Sequence, residues 1–446
     1  MTKASVRKFA PLAGPAAWND ILGPHPAAQP LITASTADIV IIGAGFAGLS
    51  AARRVKQLQP NASVVVLDAL RVGEGSAGRN SGFMIDLPHD LASDDYAGAG
   101  DDRAMIDLNR HAIAFAGDAV EEYGIDPNFF DRAGKVNGAA SARAQSHNES
   151  YAQHLLSLGE ASEALDRQQM QDLTGSPHYA SGLYTPGTVM LQPAGYIHGL
   201  AKGLRAQGVM IHENSPVTAL HRKGTAWHVT TSKGSISAGQ VILNVNGHLE
   251  SFGFEQGKLM QVFLYAVMTP ELDPAMLARL GGQSRWGVTP SDPMGTTVRR
   301  IDTGQGGNRI ITRTCATLNP NCVASSSNVA RAAKVMQRKF DQRFPQLAGL
   351  KMEHAWAGHL CLTRNSVSVM RQLDDGLYSG CVQNGLGTTR GTLTGIGAAE
   401  LACGETSAIT RHFGAEQPPK KLPPQPFQQI GANALLRYRE WRAESE

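Results

Sequence analysis

The order of apolar and polar positions predicts strands and helices in alternation. Ala37 to Ile42 is an apolar, β-branched run that predicts a buried strand, and the segment after Gly48 has helical spacing with a basic far face. A second β-branched run, Ser63 to Leu67, ends at Asp68. These pieces fit within about 30 residues, which is the length of a β-α-β unit. We therefore predict a pair of parallel strands here.

The later pattern predicts more of both elements. Helical spacing recurs at residues 104–123, 146–164, 196–207 and 328–343, and strand-like alternation covers residues 209–247 and much of 258–318. Near the end, the strand-like run LYSGCV precedes a glycine-rich turn and a helical pattern. Residues 1–36 are rich in Pro and Ala without sustained periodicity, which predicts an irregular arm pinned by Trp18.

Length and composition narrow the class of protein. A chain of 446 residues favours two closely joined domains. A net charge of +3 without a long Lys/Arg run argues against a nucleic-acid partner. The five cysteines are scattered and form no Cys-x-x-Cys pair, which favours reduced thiols over a disulfide or metal site. Since no run of about 18 apolar residues occurs, we expect a cytoplasmic protein without a membrane span.

The glycines between the first strand and helix suggest a bound dinucleotide. Gly43, Gly45 and Gly48 allow a tight turn, close approach of a pyrophosphate and helix–strand packing, and the helix N-terminus attracts phosphate. Asp68 follows the next strand, where a carboxylate can accept hydrogen bonds from a ribose diol. The alternative is a glycine-rich turn in a purely structural β-α-β unit.

Two further glycine-rich segments favour FAD over NAD. The loop Gly73 to Phe83 can wrap a second phosphate and lie against a ring system. The turn that opens the segment Asn384 to Glu400 can present helix N–H groups to the N1/O2 edge of a reduced flavin, with Gly387, Thr388 and Thr389 in contact. An exposed loop and plain helix packing are the respective alternatives.

Seven segments carry a resemblance to a known family. They are IVIIGAGFAGLSAA, VVVLDA, GEGSAGRNSG, LQPAGYIHGLAKGL, SPVTAL, ILNVNG and QNGLGTTRGTLTG. In this order they resemble the D-amino-acid oxidase and glycine oxidase superfamily of FAD-dependent oxidoreductases, in the branch with gamma-glutamylputrescine oxidoreductase, taurine dehydrogenase-like and opine-catabolism proteins. The resemblance spans nearly the whole chain and implies superfamily and cofactor, but not substrate.

The resemblance also implies which residues bind FAD. The ADP half would be held by Gly43, Gly45, Phe46, Ala47, Gly48, Asp68, Ala69 and the backbone of Val217. The ring half would lie near Arg79, Asn80, Ser81, Gly82, Asn246, Gly247, Gly385, Leu386, Gly387, Thr388 and Thr389. Sarcosine-oxidase relatives bind flavin through a cysteine, but the matching position here is Gly358, so we expect noncovalent FAD.

The expected fold is α/β, with a Rossmann-like FAD-binding domain in discontinuous segments and an α+β substrate domain around a mixed β-sheet. We predict an N-terminal arm at 1–36, the FAD-binding domain at 37–90, 190–250 and 350–415, the substrate domain at 91–189 and 251–349, and a C-terminal tail at 416–446.

Candidate substrate residues lie on predicted strands and loops. Arg299 and Arg300 must face opposite sides of one strand, and we choose Arg300, with Arg313, to bind a substrate anion. His89, His248 and Tyr265 are further catalytic candidates, and Trp286 and His359 are weaker ones. The ordinary alternatives are solubilising arginines, structural histidines and core aromatics.

The predicted reaction is oxidation of the C–N bond of a small primary or secondary amine or amino-acid derivative, with hydride transfer to flavin N5 and hydrolysis of the imine. No lysine occurs in Arg309 to Thr314, where oxidase relatives carry one, so oxygen and another electron acceptor both stay open. Other readings are oxidation of a hydroxy acid or polyol, an NAD(P)-dependent dehydrogenase and a noncatalytic flavin subunit. A homo-oligomer or a small partner subunit also stays open.

Overall fold

The computed structural model describes residues 3–6, 14–88, 100–292 and 294–446. Its strands are β1 (Lys3–Ser5), β2 (Ala34–Ile42), β3 (Val64–Leu67), β4 (Phe83–Met84), β5 (Phe130–Asp131), β6 (Lys135–Ala139), β7 (Glu163–Leu165), β8 (Ser181–Thr185), β9 (Val189–Leu191), β10 (Met210–His212), β11 (Val217–Lys223), β12 (Ala226–Thr231), β13 (Ser235–Leu243), β14 (Leu259–Met268), β15 (Trp286–Pro290), β16 (Thr297–Ile301), β17 (Arg309–Leu318), β18 (His354–Thr363), β19 (Val369–Asp374) and β20 (Leu377–Cys381).

The helices are α1 (Ala17–Asp20), α2 (Phe46–Leu58), α3 (Asp102–Tyr123), α4 (Ala142–Leu158), α5 (Arg167–Thr174), α6 (Pro193–Ala206), α7 (Pro274–Leu280), α8 (Ser326–Arg343), α9 (Thr389–Ala402), α10 (Ala408–Gly414) and α11 (Phe427–Arg442). None of the described helices is long and apolar enough to cross a membrane.

A parallel sheet forms the core of the first unit. Its strands lie in the order β10, β3, β2, β13 and β20, and each neighbouring pair is parallel. Both faces of this sheet are covered. Ile39 and Ile41 pack with helices α2, α6 and α9, whereas Val40 and Ile42 pack with the β11–β12 hairpin around Trp227. Continuous apolar runs such as Val64–Leu67 form buried parallel strands for this reason.

A mixed sheet forms the second unit, with strand order β18, β14, β17, β16, β15, β6, β8 and β7. Helix α8 covers one face of β14, β17 and β18, through residues such as Ala332 and Met336. The opposite face of this sheet lies toward the parallel sheet and its loops. The α/β fold class with a second, mixed-sheet part is thereby confirmed.

Three segments differ from the expected organisation. The arm is not wholly irregular, because β1 pairs with β11 and α1 packs beside Trp356. Strand β18 pairs with β14 in the mixed sheet, although residues 350–415 were assigned to the FAD-binding part. The tail contains α11, which packs on β17. These placements depend on pairing with strands that are distant in the sequence. A local sequence pattern does not encode such pairing. The exact domain boundaries stay a prediction.

Helices α2 and α9 pack at very short range. A Cβ atom on Gly395 would overlap the carbonyl oxygen of Ala47, and one on Gly391 would lie 3.3 Å from the Cβ of Phe46. Gly391 and Gly395 lie one turn apart on the same side of α9, so this side forms a shallow surface for α2. The contact ties the first and the last glycine-rich segments into one core.

We predict that Gly395→Ala destabilises the protein by about 1–3 kcal/mol, because the added methyl must displace backbone. Thermal denaturation of the purified protein measures the effect. Gly431→Ala in α11 is the control, since nothing lies within 4 Å of its added Cβ, and it is expected to be neutral or to stabilise by up to about 1 kcal/mol. Equal melting temperatures for the two variants would contradict the packing argument.

Candidate functional site

The carboxyl ends of the parallel strands gather most of the predicted cofactor residues at one edge. Strand β2 ends before Gly43, β3 before Asp68 and β13 before Asn244, and β20 leads into the turn at Asn384. In open α/β sheets, ligands bind in the crevice outside these ends. Positions that are far apart in the chain therefore share one crevice.

The first glycine turn is shaped by close backbone contacts. Gly43 has a φ of +109°, and a Cβ there would overlap the carbonyl oxygen of Asn244. A Cβ on Gly48 would overlap the carbonyl oxygen of Gly43. Gly45 precedes α2, and the nearest atom to an added Cβ is 3.6 Å away, so its surface stays open for a phosphate.

Phe46 and Ala47 can offer only their backbone to a ligand. The Phe46 ring is buried and stacks on Tyr196 with centroids 6.0 Å apart, and the Ala47 carbonyl faces Gly395. Their N–H groups lie in the first turn of α2, where a helix lacks internal acceptors. These N–H groups are therefore the parts that can meet a pyrophosphate.

Asp68 holds the ends of two strands together. Its carboxylate accepts hydrogen bonds from the N–H of Ala44 at 2.7 Å and from the N–H of Leu70 at 2.8 Å. Each oxygen keeps a second lone pair for a ribose hydroxyl. Burial raises the pKa of Asp68 to about 6, against these hydrogen bonds, and the charges of Glu213 and Glu74 raise it further.

The residues next to Asp68 complete this end of the crevice. The N–H of Ser215 donates to the Asp68 carbonyl at 2.7 Å, which brings Val217 near Asp68 and Ala69. On the other side, Asn246 has a φ of +49°, and its buried Oδ1 accepts no hydrogen bond from the described residues. A ligand donor would satisfy that oxygen. Gly247 packs tightly against Gln261.

The two remaining glycine-rich segments adjoin each other. The hydroxyl of Thr388 donates to the carbonyl of Phe83 at 2.6 Å, and the hydroxyl of Thr389 donates to the carbonyl of Ile85 at 3.0 Å. Within the described chain, the N–H groups of Gly387, Thr388 and Thr389 make no recorded hydrogen bond. An added Cβ on Gly385 or Gly387 would meet nothing within 4 Å. The turn, with Leu386 at its centre, therefore presents open donors beside the loop.

Three buried side chains fix successive carbonyls of the loop Gly73 to Phe83. The indole of Trp356 donates to the Arg79 carbonyl at 3.1 Å, and the indole of Trp18 donates to the Asn80 carbonyl at 2.9 Å. The guanidinium of Arg299 donates to the Ser81 carbonyl at 3.1 Å. These contacts hold the loop backbone in one conformation. Trp356 and Arg299 stand in no recognisable sequence motif, so this role could not be predicted for them.

The polar side chains of the loop stabilise the loop itself. Arg79 is buried and donates to the carbonyls of Glu74 at 2.6 Å, Gly14 at 3.1 Å and Ala357 at 3.3 Å. Asn80 donates to the Ala77 carbonyl at 2.6 Å and accepts from the Gly82 N–H at 2.7 Å. The backbone of Arg79 to Gly82 therefore lies at the predicted ring site, while the Arg79 side chain extends toward the arm.

The structure contradicts the prediction that Arg300, and not its neighbour Arg299, points toward the site. Arg299 faces the loop, and burial lowers its pKa to about 9. Arg300 lies on the other face of β16, where its guanidinium donates to the carbonyl of Gly281. Because Arg299 pairs with Ile311 across the strands, Arg313, two residues on, lies on the Arg299 face. Arg313 thus stays a candidate for an anionic substrate group, and Arg300 does not.

Two aromatic candidates lie away from the loop. The Tyr265 hydroxyl is 2.5 Å from the hydroxyl of Thr317, in the cluster covered by α8. Trp286 packs against Phe344 with ring centroids 6.4 Å apart. Both therefore pack in the core, and strand alternation places them opposite the Arg299 face.

Two histidines lie half-buried beside the loop. His248 and His359 have ring centroids 5.3 Å apart, and the Ser76 hydroxyl donates to the His359 carbonyl at 2.8 Å. Burial lowers the pKa of His248 to about 4 and that of His359 to about 3. Both rings are uncharged at neutral pH. His89 lies outside the described residues.

The strand next to the loop carries no thiol toward it. Gly358 faces the loop, since an added Cβ would lie 3.3 Å from the Arg79 carbonyl oxygen. Cys361 is buried beside Gly247, and burial raises the pKa of its thiol well above the usual range. A protonated, buried thiol is a poor nucleophile.

The mixed sheet also contains a buried lysine that the sequence did not predict. Lys135 on β6 donates to the amide oxygen of Asn137, and burial lowers its pKa to about 8. Strand pairing puts Asn137 next to Thr289, on the sheet face that also carries Arg299. Its strand, KVNGA, has no motif, so only the fold reveals this cation.

The fold and the site together define a dinucleotide-binding protein. Residues 38–401 match the FAD dependent oxidoreductase family, and the chain belongs to it. This match favours FAD as the cofactor and argues against the alternative of an NAD(P)-dependent dehydrogenase. The glycine cradle, the open N–H groups and the unsatisfied Asn246 oxygen fit this cofactor.

Individual proteins are similar over most of the chain. "Probable oxidoreductase OrdL" of Haemophilus influenzae is 25% identical over 407 residues, covering 87% of this chain and 88% of that protein. Gamma-glutamylputrescine oxidoreductase of Escherichia coli is 25% identical over 375 residues, covering 83% and 84%. The structure of glycine oxidase from Geobacillus kaustophilus has a TM-score of 0.68 at 16% identity, covering 84% and 96%.

We predict that FAD affinity falls as pH drops below about 6. The pKa of Asp68 is raised in the folded protein, so the carboxyl is protonated below that value. If ribose hydroxyls donate to the ionised form, protons compete with FAD, and the affinity rises with pH, by at most about tenfold per pH unit. Titration of apoprotein with FAD across this range measures it. Asp68→Asn should bind more weakly with a flat profile, and a sloped profile in that variant would assign the effect elsewhere.

We predict that Trp18→Phe weakens FAD binding by roughly tenfold, because the Asn80 carbonyl loses its donor at a cost of ~1–3 kcal/mol. Flavin fluorescence titration gives the dissociation constant. Trp227→Phe is the matched control, since that indole is also buried but donates to the Asp375 carbonyl, at 3.1 Å, in the hairpin region. Equal losses of FAD affinity in both variants would reduce the role of Trp18 to general stability.

Proposed function

We propose that this FAD-dependent oxidoreductase oxidises the C–N bond of a small primary or secondary amine or amino-acid derivative. The observation that carries the proposal is the sheet face turned to the loop. There Arg313 pairs across the strands with Thr297, whose buried hydroxyl has no recorded hydrogen bond among the described residues. A cation and a hydroxyl on one face suit a substrate with a carboxylate.

The names of similar proteins support the amine class. Gamma-glutamylputrescine oxidoreductase and glycine oxidase both act on amino compounds, as their names state. Oxidation of a hydroxy acid or polyol is the second candidate, and Arg313 would suit a hydroxy acid equally well. An experiment therefore has to show whether the substrate needs a nitrogen at the carbon that is oxidised.

The chain contributes position and electrostatics to the reaction. Bound FAD supplies the hydride acceptor, at N5. Arg313 would hold the substrate carboxylate, and the loop carbonyls, fixed by Trp18, Trp356 and Arg299, would keep the ring surface in place. His248 and His359 add no positive charge at neutral pH, so they leave a neutral amine, the reactive form, undisturbed.

Two further properties belong to the proposal. FAD is bound noncovalently, in keeping with Gly358 beside the loop and the buried thiol of Cys361. A cytoplasmic location accords with the five cysteines, which form no disulfide in the described chain.

Anaerobic mixing of the holoenzyme with candidate substrates tests the reaction. Secondary amines, opines, polyamines, taurine and D-amino acids form the panel, each paired where feasible with the matching hydroxy compound. We expect an amine to bleach the flavin absorbance and its hydroxy partner to leave it unchanged. Bleaching by hydroxy compounds alone would overturn the proposal, as would a flavin that no member reduces.

We predict that Arg313→Gln raises the KM for a carboxylate-bearing substrate by about ten- to hundredfold, as expected for the loss of a charged hydrogen bond. An active amine without a carboxylate should be affected little. Arg300→Gln is the matched control, since that guanidinium faces Gly281 on the opposite side of the strand. Steady-state kinetics of the variants measures the difference, and equal effects of both substitutions would remove Arg313 from the substrate site.

A further inference from the structure

Helix α11 presents an apolar stripe to solvent. Phe427, Ile430, Tyr438 and Trp441 are 71%, 65%, 53% and 71% exposed. Their spacing places them along one side of a helix with 3.6 residues per turn, and Leu435, 49% exposed, lies at its edge. A contiguous apolar surface of this kind on a polar protein marks an interaction site.

The opposite side of α11 fastens the helix to the mixed sheet. The Asn433 amide donates to the Leu318 carbonyl at 2.9 Å and accepts from the Leu318 N–H at 2.9 Å. The buried carboxylate of Glu440 pairs with Arg331 at 2.9 Å. Ala432 and Leu436 pack against the same sheet. The stripe is therefore the outer face of a docked helix and has no partner within the described chain.

The charge around the stripe is positive. Lys420 to Arg442 contains the cations Lys420, Lys421, Arg437, Arg439 and Arg442 and one carboxylate, Glu440. That carboxylate is buried and neutralised by Arg331 and Arg437. Of the two carboxylates that follow Arg442 in the chain, Glu444 pairs with Arg338 and Glu446 is buried. Arg437 and Arg442 lie at the two flanks of the stripe, as the helical angle of 100° per residue requires.

This charge pattern selects among possible occupants. Two copies joined through their stripes would oppose cation to cation at the flanks, which disfavours self-association. An anionic lipid surface satisfies both features, because its headgroups attract Lys and Arg while its interfacial zone accepts Phe, Ile, Tyr and Trp. Tyr and Trp are the aromatic residues enriched at membrane–water interfaces.

We propose that α11 is an in-plane anchor that binds the chain to the surface of an anionic lipid bilayer. The stripe enters the interfacial zone, and the flanking cations meet the headgroups. Helix α11 lies outside residues 38–401, which carry the family match, so the anchor is separate from the FAD site. Because α11 packs on β17, the strand that carries Arg313, binding would bring the mixed sheet next to the membrane.

Co-sedimentation of the holoenzyme with vesicles tests the anchor. We expect binding to vesicles that contain phosphatidylglycerol and at least tenfold weaker binding to pure phosphatidylcholine. Trp441 is an internal reporter, since the other four tryptophans, Trp18, Trp227, Trp286 and Trp356, are at most 3% exposed. Lipids with brominated acyl chains should quench its fluorescence, because the stripe reaches the acyl boundary.

Paired variants separate the stripe from general surface effects. Ile430→Glu with Tyr438→Glu should lower vesicle binding by roughly tenfold or more, through lost apolar burial and added negative charge. Leu156→Glu on α4, where the leucine is 77% exposed, should leave binding unchanged. Flavin absorbance and melting temperature should match the wild type in all variants.

Several outcomes would overturn the anchor. The first is that the wild type does not bind anionic vesicles. The second is that the stripe variant binds them as well as the wild type does. The third is that the wild type binds neutral and anionic vesicles equally well. A wild-type dimer in analytical ultracentrifugation that the stripe variant converts to monomer, without vesicle binding, would assign α11 to self-association instead. Capture of an acidic protein without vesicle binding would likewise replace the lipid by a protein partner.

Discussion

The site depends on the contact between two glycine-rich segments near opposite ends of the chain. Thr388 and Thr389 donate from the start of α9 to the carbonyls of Phe83 and Ile85, and Gly395 lets the same helix lie directly on α2. The phosphate cradle at the start of α2 and the donors at the start of α9 thereby belong to one rigid core. Without this contact, each turn would be an isolated loop with unpaired N–H groups.

Buried donors determine the shape of the loop between those segments. Indole and guanidinium groups lose hydration when buried, and their hydrogen bonds to the carbonyls of Arg79, Asn80 and Ser81 compensate for part of that loss. The arm supplies one of these donors, and the mixed sheet supplies the other two from β18 and β16, so elements that are distant in the chain define the loop backbone together. The lowered pKa of Arg299 shows the cost of burying a cation there, which the carbonyl dipoles offset.

The two faces of the mixed sheet have separate tasks. One face is covered by α8 and holds Tyr265 in a hydrocarbon core, whereas the other carries Arg299, Arg313 and Lys135, of which Arg299 contacts the loop. Helix α11 binds the same sheet through Asn433 and turns its apolar stripe outward. Chemistry and surface attachment can thus share one scaffold without sharing residues.

Local sequence determined the cofactor turns. Gly43, Gly48 and Asp68 were predicted because backbone conformation, close approach and a strand-end carboxylate are requirements that act within one β-α-β unit. The FAD-dependent family could be predicted for the same reason, because each of its motifs is a short contiguous segment of the sequence. Tertiary structure alone decided that Arg299 rather than Arg300 meets the loop, that Arg79 extends toward the arm, and that Trp356 and Lys135 are placed on the site side. Strand parity and the pairing of distant strands set those orientations, and neither is encoded in a short window of residues.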